Sequence, residues 1–475
     1  MAFAPVVRRL FRVPSFLPLA CFVACLTALA SCSSSDGPAA EDTRDAGGPG
    51  ASADGGRSEA AAGDGAAGDG QGAAPTFLLP RESIAAAELG VLVNADDPQS
   101  VAVGAHYMKA RGLPAQNLIS VKLGASFATD KTTTVSAATF ATWKTDIDAA
   151  TPATIQAYAV TWIYPSVVEC MSLTSALAFG FDVKWCNKVA GCGGTAQSPY
   201  FKSASTTPFT THAARPAMVI AGTTEAAAKA LIDRGVSADA TYPLSKGYLV
   251  RTNDTARSVR FSDFQATATA WNKPDSLALE YIDNSATGTG LISNKTDVLF
   301  YFTGFASVAD LATNTYLPGA MADHLTSYGG QIPDSGQMSI LRWIEAGATG
   351  SFGTVVEPCN YASKFTQVSV ALAEYFAGAT LLEAYWKSVA WPGEGLFIGE
   401  PLARPYGTTH SFKDGILTIV TTTLVASKTY RVESAPAASG PWTVALADIK
   451  VTAAPSLKKI VVPGATAPFY HLVMQ

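Results

Sequence analysis

The sequence predicts an α/β protein: a mostly parallel sheet covered by helices over residues 76–407, then a small all-β, sandwich-type domain over 408–475. Three observations predict it. Short apolar runs of strand length alternate with helical periods from residue 89 to 399, closed by Gly, Pro or Asn. Those runs are continuous rather than alternating, as strands buried on both faces are. After Tyr406 the helical periods stop, and short segments rich in Val, Thr and Tyr follow, with Gly, Pro and Ser between them.

The elements follow in order. Residues 89–94 are a buried-strand run that ends in Ala95-Asp96-Asp97-Pro98. Asp97 suits an N-cap and Pro98 the first helical position. Val101, Ala105 and Met108 then lie on one helical face, and Arg111-Gly112 is a helix stop. Further strands are expected at 118–123, 157–163, 218–221, 247–251, 277–282, 298–303, 351–356 and 395–399. Helices are expected near 139–148, 224–234, 261–271, 338–346, 368–376 and 381–389. In the tail, strands are expected at 416–424, 429–433, 443–447, 457–462 and 468–474. There is no internal repeat.

The front of the chain reads as an address. Arg8, Arg9 and Arg12 precede an uncharged apolar run over 16–30. That run is short for a membrane span, which needs about 20 residues, and suits a signal peptide. Its end, Leu29-Ala30-Ser31-Cys32, resembles the lipobox of bacterial lipoproteins. The resemblance implies cleavage after residue 31, lipidation of Cys32 and a lipid anchor in the cell envelope. Ser33 after the cysteine points to the outer membrane by the same likeness. Residues 32–75 then form a tether: 33–75 contain no Val, Ile, Leu, Met, Phe, Trp or Tyr, so nothing offsets the entropy of ordering them.

Charge excludes one partner class. Lys and Arg number 33 against 38 Asp and Glu, for a net charge of -5, and no basic block occurs. A nucleic-acid partner is not expected, because phosphate affinity comes mainly from basic residues. Most of the acidity sits in the tether, so it says nothing about a ligand of the folded part.

Seven cysteines stand at 21, 25, 32, 170, 186, 192 and 359. The first two leave with the signal and the third is lipidated. The remaining four would face an oxidising compartment, and four cysteines allow three pairings. Cys186 and Cys192 lie six apart in a Gly-containing loop and are expected to pair, leaving Cys170 bonded to Cys359 or both free.

Several catalytic signatures are absent: G-x-S-x-G, H-E-x-x-H, the P-loop and the EF-hand loop. No two of the five histidines (106, 212, 324, 410, 471) stand at metal-ligand spacing, so neither a metal nor a cofactor is expected. The densest polar groups follow three strand regions: Gly304-Phe305-Ala306, Asp323-His324-Leu325-Thr326-Ser327, and Glu357-Pro358-Cys359-Asn360. Ligands of open α/β sheets bind beyond the carboxyl ends of the strands. Phe305, Ser327 and Asn360, with Glu169 after an earlier strand, are therefore the expected lining of a cleft.

Two resemblances bear on that cleft. Leu92-Val93-Asn94-Ala95 with Ala105-His106-Tyr107-Met108-Lys109-Ala110-Arg111-Gly112-Leu113-Pro114 resembles an uncharacterised family of secreted bacterial proteins. Residues 339–358, from Ser339-Ile340-Leu341-Arg342-Trp343 through Ala346-Gly347-Ala348 to Glu357-Pro358, resemble the helix–strand segment of caspase-like peptidases of the gingipain and CHAT type. Gly395-Leu396-Phe397-Ile398-Gly399-Glu400-Pro401 is similar to their terminal strand. The resemblance implies a caspase-like three-layer arrangement.

It also exposes a departure. Where those peptidases carry the catalytic His, this chain reads Thr303-Gly304-Phe305-Ala306; where they carry the Cys, it reads Ala322-Asp323-His324-Leu325. Phenylalanine takes no proton from a thiol. The expected function is thus a degenerate hydrolase scaffold that binds a peptide, a glycan or an envelope protein. The alternative is a thiol hydrolase in which Cys359 is the nucleophile, His324 the base, and Asp323 or Glu357 the orienting group.

Overall fold

A computed structural model describes residues 75–187, 192–286 and 291–475. The expected signal peptide, the expected lipobox with Cys32, and the expected tether up to residue 74 lie outside the described residues. Among the described residues the largest sheet has ten strands. In chain order they are β1 (Leu89–Asn94), β2 (Leu118–Val121), β3 (Ala157–Val160), β4 (Ala217–Val219), β5 (Lys246–Arg251), β6 (Ala278–Asp283), β7 (Val298–Gly304), β8 (Tyr316–Leu325), β9 (Gly350–Thr354) and β10 (Gly395–Gly399). Their spatial order is β6-β5-β7-β8-β9-β10-β4-β3-β1-β2.

All neighbours in that order are parallel except β9 and β10, which are antiparallel. One reversal in the middle splits the sheet into two five-stranded blocks that run in opposite directions. The carboxyl ends of β5, β7, β8 and β9 therefore lie at one edge, and those of β1, β3 and β4 at the other. This decides which strand-end residues can meet.

Every position of β1, β3, β7, β9 and β10 is buried. Burial at all positions, rather than alternate ones, means that both sheet faces are covered. The cover is helical: α1 (Pro98–Ala110), α2 (Ala137–Ala150), α3 (Leu173–Phe179), α4 (Glu225–Ala238), α5 (Phe261–Trp271), α6 (Leu341–Ala346), α7 (Val368–Phe376) and α8 (Leu381–Ser388). The α1 start is as its sequence dictates, with Asp97 Oδ1 accepting from the Gln99 N–H at 3.0 Å and Pro98 in the first turn. Thr380 and Glu383 form a reciprocal capping box at the start of α8.

Three differences from the sequence reading have physical causes. Strand β8, the longest of the sheet, is not among the expected strands, because Pro318-Gly319 interrupts its apolar pattern; Gly319 takes φ +86°, and its N–H donates to Thr349 Oγ1 at 2.9 Å. The expected helix over 338–346 shortens to α6, and 339–340 become the turn before it. Three two-residue strands (Thr134–Val135, Val167–Val168, Met171–Ser172) form a further small sheet, too short to leave a periodic signal.

The tail contains two small sheets. Thr409–Lys413, Ile416–Thr421 and Lys458–Pro463 pair antiparallel in that order. Tyr430–Ala435 pairs antiparallel with Thr443–Ile449 and with Phe469–Met474, and Thr76–Leu78 adds to the last of these in parallel. Phe77 is buried in the core these sheets share with Leu417, Ile419, Val432, Ile460 and Tyr470. The expected boundary at 408 thus omits a strand from the front of the chain. Polar contacts bind the tail to the larger sheet's domain: Glu82 accepts from the Thr408 N–H at 2.8 Å, and Tyr242 Oη lies 2.8 Å from Thr409 Oγ1. Among the described residues no helix is long and apolar enough to cross a membrane.

Candidate functional site

A cleft of about 350 Å³ opens at the carboxyl ends of the β5–β9 block, lined by Ala256, Arg257, Leu325, Ser327, Glu357, Cys359 and Asn360. Of the residues expected from the sequence, Ser327, Glu357, Cys359 and Asn360 meet there. Phe305, partly buried after β7, is not among the lining residues.

The cleft's floor is built by loop-on-strand packing. After β5 the chain turns at Asp254, whose Oδ1 accepts from the Arg257 N–H at 3.1 Å and whose Oδ2 pairs with Arg257 Nη1 at 2.8 Å. Arg257 Nε also donates to Thr326 Oγ1 at 3.2 Å, tying this loop to the end of β8. The loop lies directly on Gly304: a Cβ there would fall 1.9 Å from the Arg257 carbonyl oxygen, so only glycine ends β7 without displacing Arg257. On the far wall, Glu357 Oε1 accepts from the Cys359 N–H at 2.7 Å, which holds Cys359 at φ +51°. The structure thus adds Arg257 to the site. The strand-end rule that singled out the other residues reaches it as well, because it follows β5.

His324 is not in the cleft. It sits within β8, 1% exposed, and adjacent side chains of a strand point to opposite faces. Its Nδ1 accepts from the indole N–H of Trp343 on α6 at 2.9 Å, and its Nε2 meets the Met338 carbonyl oxygen at 3.1 Å. Both ring nitrogens are engaged, which fixes a neutral ring with its proton on Nε2. Burial pushes its pKa down to about 3, with the nearby Arg260 and Arg257 charges acting in the same direction. An imidazole so enclosed does not take a proton from a cleft thiol.

Asp323 points to the other face and pairs with Arg260, Oδ1 to Nη1 at 2.8 Å, both side chains essentially buried. Burial raises its carboxyl pKa and the guanidinium opposes that rise. Arg260 also donates to the carbonyl oxygens of Thr303, at 2.6 Å, and Thr366, at 3.2 Å. The expected role of Asp323 as the orienter of a base is therefore replaced by a structural ion pair, which locks the loop carrying Arg257 against the ends of β7 and β8.

The cysteines pair differently from the sequence expectation: Cys170 with Cys186 and Cys192 with Cys359, at Cα separations of 5.7 and 5.6 Å. Nearness along the chain favoured Cys186–Cys192, but the fold sets the partners. Cys170 sits in the turn of the Val167–Ser172 hairpin, and the Asp182 N–H, four residues before Cys186, meets Met171 Sδ of that hairpin at 3.5 Å, while Cys192 reaches the loop after β9. Cys359 is thus half of a crosslink, without a free thiol.

Glu169 is placed apart from the cleft. It belongs to the hairpin that follows β3 in the oppositely directed block, and its Oε1 accepts from the Ala137 N–H at 3.1 Å, at the start of α2. Among the described residues no group of three or more His, Cys, Asp or Glu side chains is placed to hold a metal ion.

No family model matches the chain, and no curated protein matches it. A solved structure described as "Structure of Protease" is similar with a TM-score of 0.40 at 12% identity, over 79% of this chain and 97% of that one. A likeness at that level leaves the chemistry to be argued from the residues themselves.

Proposed function

We propose that this chain is a lipid-anchored cell-envelope protein whose caspase-like three-layer domain has lost the hydrolase machinery and binds a short glycan at its strand-end cleft. The observation that carries the reading is the state of the two groups a thiol hydrolase needs. His324 is enclosed by Trp343 and Met338, and Cys359 is bonded to Cys192. The cleft keeps its polar lining while neither the free thiol nor the accessible imidazole of a thiol hydrolase stands in it.

The lining favours a polyhydroxylated ligand. Asn360 and Ser327 both donate and accept, Glu357 accepts and Arg257 donates, which matches hydroxyl groups that do both. The residues next in sequence, Tyr328 and Tyr361, are among the exposed large side chains, and aromatic rings give a sugar face an apolar surface. The volume lies at the small end of the range for ligand pockets, suited to one or two sugar rings.

The anchor rests on the Leu29-Ala30-Ser31-Cys32 segment and the tether after it. Three acyl chains, at about 0.8 kcal/mol per buried methylene, hold a protein firmly on a membrane. In this reading residues 1–31 are removed, 32–75 are the tether, and the tail (408–475 with 76–78) is a sandwich-type packing module.

The test is calorimetric titration of oligosaccharide fragments of the envelope, with length-matched peptides alongside, into the wild type and a Glu357→Ala/Asn360→Ala variant. Saturable glycan binding that weakens by about tenfold, or 1.4 kcal/mol, in the variant is expected. Binding of peptides alone would overturn the ligand class, and cleavage of either ligand would overturn the loss of catalysis.

A further inference from the structure

The two disulfides occupy opposite environments. Cys170 and Cys186 are 5% and 3% exposed and belong to the main core, whereas Cys192 is exposed and Cys359 lines the cleft. We infer that the Cys192–Cys359 bond is a thiol-exchange site, opened by a low-molecular-weight thiol or dithiol without unfolding the protein.

Access sets the course of the reaction. An incoming thiolate must approach a sulfur along the S–S axis, and Cys192 is the more exposed residue of the pair. A new S–S bond forms between the incoming thiolate and Cys192 Sγ, and the Cys192–Cys359 bond breaks. Its electron pair stays on Cys359, which becomes a thiolate in the cleft that Arg257 also lines and takes its proton from solvent. A second thiolate then attacks the mixed disulfide and displaces Cys192 as a thiolate. Two external thiols end as one disulfide, and the protein disulfide ends as two thiols.

The surrounding contacts explain why the fold survives. The loop that carries Cys359 is held at both ends without the crosslink. The Val355 N–H donates to the Glu394 carbonyl oxygen at 2.9 Å, and the Trp391 N–H donates to the Ser363 carbonyl oxygen at 2.8 Å. The buried pair Lys364 Nζ–Glu394 Oε2, at 2.7 Å, fixes the end of the same loop. On the other side, the Asn187 N–H donates to Glu394 Oε1 at 3.0 Å, and Asn187 Nδ2 donates to the Gly193 carbonyl oxygen at 2.9 Å. Opening the bond therefore frees the short stretch 356–362 and the cleft mouth it forms, and leaves the sheet untouched. Exposed disulfides are the labile ones, whereas buried ones open only as structure is lost.

The inference is independent of the cleft's ligand, since its readout is at sulfur. The unreduced protein is incubated with glutathione under native conditions, quenched with N-ethylmaleimide and mapped by mass spectrometry. The expected products carry glutathione (first step) or maleimide (second step) on Cys192 and maleimide on Cys359, with Cys170–Cys186 intact and near-UV circular dichroism retained. The exchange at Cys192 is expected to outrun any at Cys170 or Cys186 by at least about tenfold. Equal labelling of all four cysteines, or none before denaturant is added, would overturn it. A Cys192→Ser/Cys359→Ser variant, folded by the same spectrum, is expected to take up no label; label on its Cys170 or Cys186 would also overturn it.

Discussion

Replacing Asp323 by alanine is expected to cost about 3–5 kcal/mol of stability, among the largest effects of any single substitution in the molecule. The Asp323–Arg260 side chains are 1% and 2% exposed, so the variant leaves a guanidinium in the interior with only two carbonyl partners. Arg260→Ala should cost less, because a buried carboxyl with a raised pKa escapes its charge by taking a proton. Replacing both partners by apolar residues of similar volume should recover most of the loss, since an ion pair out of water gains little over good packing. The check is the midpoint of chemical unfolding at unchanged m-value. A single-variant loss under about 1 kcal/mol would mean that the pair is hydrated and not a lock.

Acid should weaken the protein through His324. Its folded pKa is about 3, against 6.5 for a free imidazole. Between those values the unfolded chain binds a proton that the folded chain refuses. Stability is therefore complete above about pH 6.5 and falls as pH drops towards 3, by up to about 1.4 kcal/mol per pH unit. The raised pKa of Asp323 has the opposite sign, because the folded carboxyl binds its proton more readily above the ordinary carboxylate value. Below neutral pH the wild type should lose stability faster than His324→Gln, whose side chain can still accept from Trp343. The direct check is the His324 ring resonances, expected to stay constant from pH 8 to 5; titration near 6.5 would contradict the enclosure.

Much of this architecture is legible in particular residues. The run Leu89–Asn94 with Asp97-Pro98 behind it carries strand, cap and helix start together, and the structure has each where the residues put it. The strand-end rule located Ser327, Glu357, Cys359 and Asn360, which line one cleft. Strand direction is another matter. An apolar run reads the same either way, so the reversal between β9 and β10 leaves no trace in composition, and Glu169 could be set beside residues it does not share an edge with. His324 looks like a polar residue in a polar stretch. Only the alternation of β8 reveals that Asp323 and His324 enter opposite interiors and find Arg260 and Trp343 there, residues 63 and 19 positions away. The disulfides fail to be legible for a similar reason: four cysteines have three pairings, and the Cys192–Cys359 bond spans a separation of 167 residues.

The central claim is that no thiol–imidazole pair operates in the cleft, and alkylation of the unreduced native protein tests it most directly. Iodoacetamide at neutral pH, followed by peptide mapping, should leave Cys359 unmodified and recover it crosslinked to Cys192. Rapid carbamidomethylation of Cys359 that disappears in His324→Gln would show a working nucleophile and base, and would contradict the account.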